Sequence, residues 1–298
     1  MAEPVQNDAA ATVPAGVLAQ VWYDRTRTRG AIVFALIDGA AELDAASPCA
    51  WRPTSGRDEV NLFAARTGQA RARAIAPRLR ELTDAGPATT RLLQAFQAQS
   101  AELPRCILIA SPLSLESLAV RLARRIDVDA AGDDMMLRFW DSRTFLSLHR
   151  HIAPATRDRL MAFGAQALAS DRRGGCVALA LNCPAIDPLG TDQCRLEQDD
   201  LAALGRASRP DAVLGMLRQQ APEALAAVAD ADRHALAAQQ IDRCLQHGLK
   251  SPRDQALALS LAIEHGPDWW QHEEWTACVQ RARQGTLLKA YLQHLEAA

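Results

Sequence analysis

Aromatic residues make up only 5% of this 298-residue chain, although 49% of it is hydrophobic. Alanine and leucine therefore supply most apolar positions, which suits helices better than sheets. Lysine is scarce: of 33 basic residues only Lys250 and Lys289 are lysines. The formal charge of -2, with no basic cluster interleaved with aromatics, leaves nucleic acid outside the expected partners. No run of about 18 uncharged apolar residues occurs, so no membrane partner is expected. Met1 to Pro14 hold acids and amides where a secretory leader needs a basic start and an apolar stretch, and a cytoplasmic location is expected. Seven cysteines, an odd number scattered from Cys49 to Cys278, fit reduced, mostly buried thiols better than a disulfide framework. G-x-S-x-G, H-E-x-x-H, G-x-x-x-x-G-K-[ST] and a convincing G-x-G-x-x-G are all missing, which removes the common hydrolase, zincin and nucleotide signatures.

Residues 1–13 are polar and Ala-rich without apolar period, and read as a disordered tail before a helix near Val17 to Tyr23. Ala31-Ile-Val-Phe-Ala-Leu-Ile37, closed by Asp38-Gly39, has the length and β-branched content of a buried central strand. Pro48, Pro53 and Gly56 predict an irregular connection over Glu42 to Arg57. An Arg-rich segment, a short strand at Arg78 to Thr83 and a helix from Gly86-Pro87 through Gln99 follow. Arg105 to Ala110 reads as a second buried strand, with Ser111-Pro112 as the cap of a helix whose Leu115, Leu118, Leu122 and Ile126 form one apolar face. Met135 to Trp140 reads as a third strand, Phe145 to Ile152 as a helix, and a further helix is expected to reach Leu168. Gly174-Gly175 introduces a last strand at Cys176 to Leu181. From about Leu196 the chain reads as helical throughout, with capped starts at Ser208-x-x-Asp211 and Ser251-x-x-Asp254. Two helices end alike, at His247-Gly248 and His265-Gly266, eighteen residues apart.

The densest polar constellation is Arg138-Phe-Trp-Asp141-Ser-Arg143. Asp141 falls where a carboxylate can cap the next helix and accept bidentate hydrogen bonds from Arg138 or Arg143. A salt-bridged junction locking helix to sheet is favoured over an acid, a base or an anion clamp. Asp38-Gly39 offers a similar choice, and turn chemistry is favoured. Trp269-Trp270 with Trp275 is the densest aromatic group, readable as helical core or as a binding surface. Cys176, Cys183 and Cys194 lack any C-x-x-C pair, so buried thiols are expected and zinc is not. His149 and His151 diverge by about 200° on a helix and cannot chelate together; His149 shares a face with Phe145 and Ile152, and His151 is expected in solvent.

Phe34-Ala-Leu-Ile-Asp38-Gly39-Ala40, Ser114-Leu-Glu-Ser-Leu118 with Leu122, Leu137-Arg-Phe-Trp-Asp-Ser-Arg143 and Phe163-Gly164, in that order, resemble the type VI secretion effector chaperones, also called adaptor or Tap/TEC proteins. The resemblance covers about residues 30–165, and more loosely the helical C-terminal part. Trp140 stands where that family usually has Tyr, and Ser142 where it usually has Pro, so helix entry relies more on Asp141. The resemblance implies a cytoplasmic chaperone without catalytic group, metal or cofactor. Such a protein binds a toxic effector, steadies it and helps load it on the VgrG spike. The expected architecture is a disordered tail at 1–13, an α/β lobe with a small buried mixed sheet over 14–195, and a helical lobe over 196–298. Arg138, Trp140, Asp141, Arg143, Trp269 and Trp270 are the residues expected to bind the partner or shape its seat. The alternative reading is an α/β enzyme or ligand-binding protein using Asp38, Arg138 and Asp141.

Overall fold

The computed structural model describes residues 15–40, 58–64, 75–83, 86–98, 106–282, 286, 287 and 289–291. The expected tail at 1–13 and the connection at 42–57 lie outside them. An α/β region comes first and a helical region second, and the chain divides into two compact units between Leu204 and Gly205.

The first unit is built on a six-stranded sheet in the order β2-β3-β1-β4-β7-β8. Its strands are β1 (Ile32–Ile37), β2 (Glu59–Asn61), β3 (Arg78–Glu81), β4 (Cys106–Ser111), β7 (Gln166–Ser170) and β8 (Cys176–Ala180). Every pairing in it is antiparallel. Continuous apolar runs usually mark parallel strands, but the requirement is only that both faces be covered. Here Val33, Ala35, Ile37, Leu108 and Ala110 pack on α1 (Ala15–Thr28) and α2 (Pro87–Ala98) through Trp22, Tyr23, Leu92, Leu93 and Phe96. Phe34, Leu36, Ile107 and Ile109 on the other face meet Leu118 and Leu122 of α3 (Leu115–Ala123) and Phe145 and Leu148 of α4 (Ser142–His151). Each fully buried Leu or Phe adds about 1.5–3 kcal/mol to this sandwich. A three-stranded sheet, order β6-β5-β9, is formed by β5 (Asp127–Ala130), β6 (Asp133–Met136) and β9 (Cys194–Leu196), with β5 and β9 parallel.

Several local expectations are corrected. The strand expected over Met135 to Trp140 is β6 and stops at Met136; Leu137, Phe139 and Trp140 are buried beyond it in irregular chain. The helix expected to reach Leu168 is α5 (Pro154–Leu160), and Gln166–Ser170 is instead β7, paired with β4. Its alanines carry helix propensity, which burial between two strands overrides. The cap of α3 is Ser114, accepting from the Ser117 N–H at 3.3 Å, whereas Ser111 ends β4 and donates to the Phe163 carbonyl at 2.9 Å. Ser208 starts no helix: α6 (Gln198–Gln220) runs through it and through Pro210, supported by buried Val213, Leu214 and Leu217.

The second unit holds the rest of α6, then α7 (Pro222–Ala226), α8 (Asp230–Gln246), α9 (Pro252–His265), a 3-10 turn at Trp269–Gln271 and α10 (Glu273–Ala282). Ser251 caps α9 by accepting from the Arg253 N–H at 3.2 Å. Both His-Gly helix ends are present, with Gly248 at φ 79° and Gly266 at φ 92°, a conformation that favours glycine. The sequence-based lobe boundary at 195/196 falls nine residues before the division at 204/205. Asp200 lies in that interval and is buried, its oxygens accepting from the Ala153 N–H at 2.7 Å and the Glu197 N–H at 3.3 Å. No described helix is long and apolar enough to cross a membrane.

Candidate functional site

Chain leaving β6 turns through Phe139-Trp140 and enters α4 at Asp141. Asp141 Oδ1 accepts from the Arg143 backbone N–H at 2.9 Å and from its Nε at 3.0 Å, while Oδ2 takes Nη2 at 2.6 Å. One carboxylate thus caps the helix and clamps the guanidinium on its first turn. Arg138 goes elsewhere: its Nη2 donates to Asp38 Oδ2 at 3.0 Å, across 100 residues of sequence. Asp38 Oδ1 also receives the Ala40 N–H at 3.1 Å, so this residue serves both the turn after β1 and the ion pair. Arg138 is half exposed, which keeps the pair weak. Gly39 beside it is required by packing, since a Cβ there would sit 2.1 Å from the Ala76 carbonyl oxygen.

Beneath this junction Trp140 is 3% exposed. It meets Phe63 and Phe139 edge-on, at 5.9 and 5.6 Å between ring centres. Phe163 continues the cluster toward Phe139 and Phe145. The following Gly164 leaves room for β4, as a Cβ would stand 2.9 Å from the Ala110 carbonyl oxygen. The structure therefore holds Asp38, Arg138, Asp141 and Arg143 as two ion pairs near the entry to α4, with Trp140 buried just before it.

Trp269 and Trp270 lie in the second unit, 0% and 8% exposed. Their ring centres are 4.2 Å apart, and Trp275 is edge-on to Trp269 at 5.5 Å. His247 stacks on Trp270 at 5.2 Å, and His265 lies against Trp275 at 5.2 Å. The Trp270 indole donates to Gln240 Oε1 at 2.7 Å, and Gln240 donates to the Pro267 carbonyl at 3.0 Å.

Sequence reasoning missed a pair of buried arginines, Arg121 on α3 and Arg125 just past its end. Arg125 is fully buried: Nε donates to the Leu160 carbonyl at 2.6 Å, Nη1 to the Arg121 carbonyl at 2.6 Å and Asp187 at 3.1 Å, and Nη2 to Asp187 at 2.7 Å and the Arg159 carbonyl at 3.1 Å. Arg121 reaches the carbonyls of Ala162, Pro184 and Ala185 at 3.1, 2.9 and 2.8 Å. Burial is the largest influence on Asp187 and opposes its charge, but the Arg125 hydrogen bonds and charge, with the Leu189 N–H and the Arg121 charge, together outweigh it and lower the carboxyl pKa. The signal was present: positions 121 and 125 lie next to Leu122 and Ile126 on the apolar face, where an arginine needs a buried partner.

His149 is half-buried, and a groove of about 670 Å³ opens beside it, between β8 and the neighbouring ends of α4 and α5. Burial pushes its imidazole pKa down, Arg157 and Arg150 acting with it and a hydrogen bond to the Ala180 backbone against it. His151 is exposed. Burial, with Asp171 adding, pushes the Cys176 thiol up to about 11, and burial raises Cys194 as well. Among the described residues no group of three or more His, Cys, Asp and Glu is placed to hold a metal ion.

Residues 33–159, from β1 to the last turn of α5, match a family model described as Domain of unknown function (DUF4123). The match takes in the Asp38–Arg138 and Asp141–Arg143 ion pairs, Trp140, Arg121 and Arg125. No curated protein and no solved structure matches the chain.

Proposed function

We propose that this protein is a cytoplasmic, non-catalytic adaptor of type VI secretion, which holds a toxic effector before export and helps bring it to the VgrG spike. The observation that carries the reading is the DUF4123 match over 33–159, a domain associated with effector-loading adaptors of that system. It coincides with the stretch in which the ordered motifs resemble those chaperones. Binding of this kind needs surface and differential affinity, with no reacting group. The polar residues named in the enzyme alternative are engaged structurally: Asp38 pairs with Arg138, and Asp141 caps α4 while clamping Arg143. None of the four lines the groove beside His149.

The test is affinity capture of the tagged full chain from its native bacterium, with bound proteins identified by mass spectrometry. A toxin or a VgrG spike protein recovered in stoichiometric amount is the expected result. Recovery of neither, from cells shown to express both, overturns the adaptor reading in favour of the ligand or enzyme alternative.

A further inference from the structure

The six-stranded sheet ends at β8, where the register pairs Val177 with Ala169 and Leu179 with Ala167. The Leu181 N–H to Ala165 carbonyl bond at 2.9 Å and the Asp171 N–H to Gly175 carbonyl bond at 2.8 Å continue this ladder at its two ends. Antiparallel partners exchange hydrogen bonds at every second pair. Gly175, Val177, Leu179 and Leu181 therefore bond inward to β7 and its flanks, and the peptide groups of Cys176, Ala178 and Ala180 face outward. The Ala180 carbonyl receives the His149 ring. The Ala178 N–H and C=O make no hydrogen bond among the described residues.

The groove of about 670 Å³ runs along this edge from Val177 to Asn182. Its far wall is Met161 with the polar residues His149, Arg150, Arg157 and Asp158. Arg157 and Asp158 are paired with each other at 2.9 Å, and Arg150 has no ion pair among the described residues. The wall thus keeps an uncompensated positive charge beside an apolar strip of Val177, Leu179, Leu181 and Met161. Two complementary needs meet here: a row of outward peptide groups, which another extended backbone satisfies, and a cation, which an acidic side chain satisfies.

We propose that this groove takes one extended segment of the exported client, added as a further strand beside β8. Its apolar side chains at alternate positions cover the Val177–Leu181 strip, and an acidic residue faces Arg150. This rests on the adaptor reading above.

The test uses the full chain and the client identified by capture. Ala178→Pro removes an outward N–H without taking a bond from the β7–β8 ladder, a place where an edge strand accepts proline. The expected result is an unchanged melting temperature with client affinity lowered about tenfold or more. Arg150→Glu is expected to weaken binding several-fold, more at low salt than at high. In the unsubstituted complex the amides of Ala178 and Ala180 exchange hydrogen at least about tenfold more slowly than in the chain alone; this readout stands even where the proline variant fails to fold. Equal exchange with and without client, or full client affinity in both variants, overturns the groove assignment while the adaptor reading survives, because the client is still held. Capture of no client by the unsubstituted chain overturns both. A concentration-dependent dimer abolished by Ala178→Pro makes the occupant a second copy of this chain and overturns the client assignment.

Discussion

In the first unit the largest fully buried polar side chain is Arg125, whose guanidinium binds the carbonyls of Leu160, Arg121 and Arg159 and both oxygens of Asp187. In the second the equally buried anchor is Trp269, held by Trp270 and Trp275. The two solve the same problem, fixing irregular chain against helices, by opposite means. A buried cation acts through directional bonds to groups from several segments, so each donor and acceptor specifies a position, and losing one partner strands the other. Packed rings act through shape and contact area, so a substitution that preserves most of the volume preserves most of the effect.

The difference can be broken experimentally. Arg125→Ala strips three carbonyls of their donor and leaves Asp187 only the Leu189 N–H at 3.2 Å and Arg124 at 3.8 Å, and is expected to cost about 3–5 kcal/mol in urea denaturation. The double variant Arg125→Met with Asp187→Leu should recover most of that loss; no recovery would mean that the carbonyl bonds, rather than the stranded charge, dominate. Trp269→Phe keeps an aromatic ring at the centre of the second unit and is expected to cost only about 1–2 kcal/mol. A loss as large as that of Arg125→Ala would erase the distinction.

Asp141→Ala removes a helix cap and the clamp on Arg143, and should lower stability by about 1 kcal/mol with a parallel fall in client binding. Lost binding at unchanged melting temperature would instead make Asp141 a contact residue. The smallest effect is expected with pH. Asp187 has its carboxyl held below the ordinary 3.8, so the stability it adds is present above that value and disappears as pH falls through the lower folded value. Asp187→Asn should be less stable at neutral pH and show a flatter acid limb; a steepness equal to that of the parent chain would assign the acid sensitivity to other carboxylates.

Much of the architecture was readable locally. The apolar runs of β1 and β4, the spacing of Leu115, Leu118 and Leu122, the absence of strand signals after Leu196, the Ser251 cap and the His-Gly ends are each encoded within a few residues. Backbone propensity and side-chain period act over that same range. The Asp141 cap was legible for the same reason, since its acceptor and the Arg143 donors are two residues apart.

Tertiary structure alone decided the rest. Gln166–Ser170 carries the composition of a helix and becomes β7 because β4 and β8 flank it. Arg138 had an acid three residues away and instead pairs with Asp38, which the approach of β1 to the α4 entry puts within 3.0 Å. Arg121 and Arg125 find their distant acceptors only because the chain through Pro184, Ala185 and Asp187 packs against them. The open edge at Ala178 exists only because β8 is last in the sheet order. Sequence sets what each segment prefers, but which distant groups meet follows from strand order and packing, where contacts far apart in the chain outweigh propensities worth about 1 kcal/mol or less per residue.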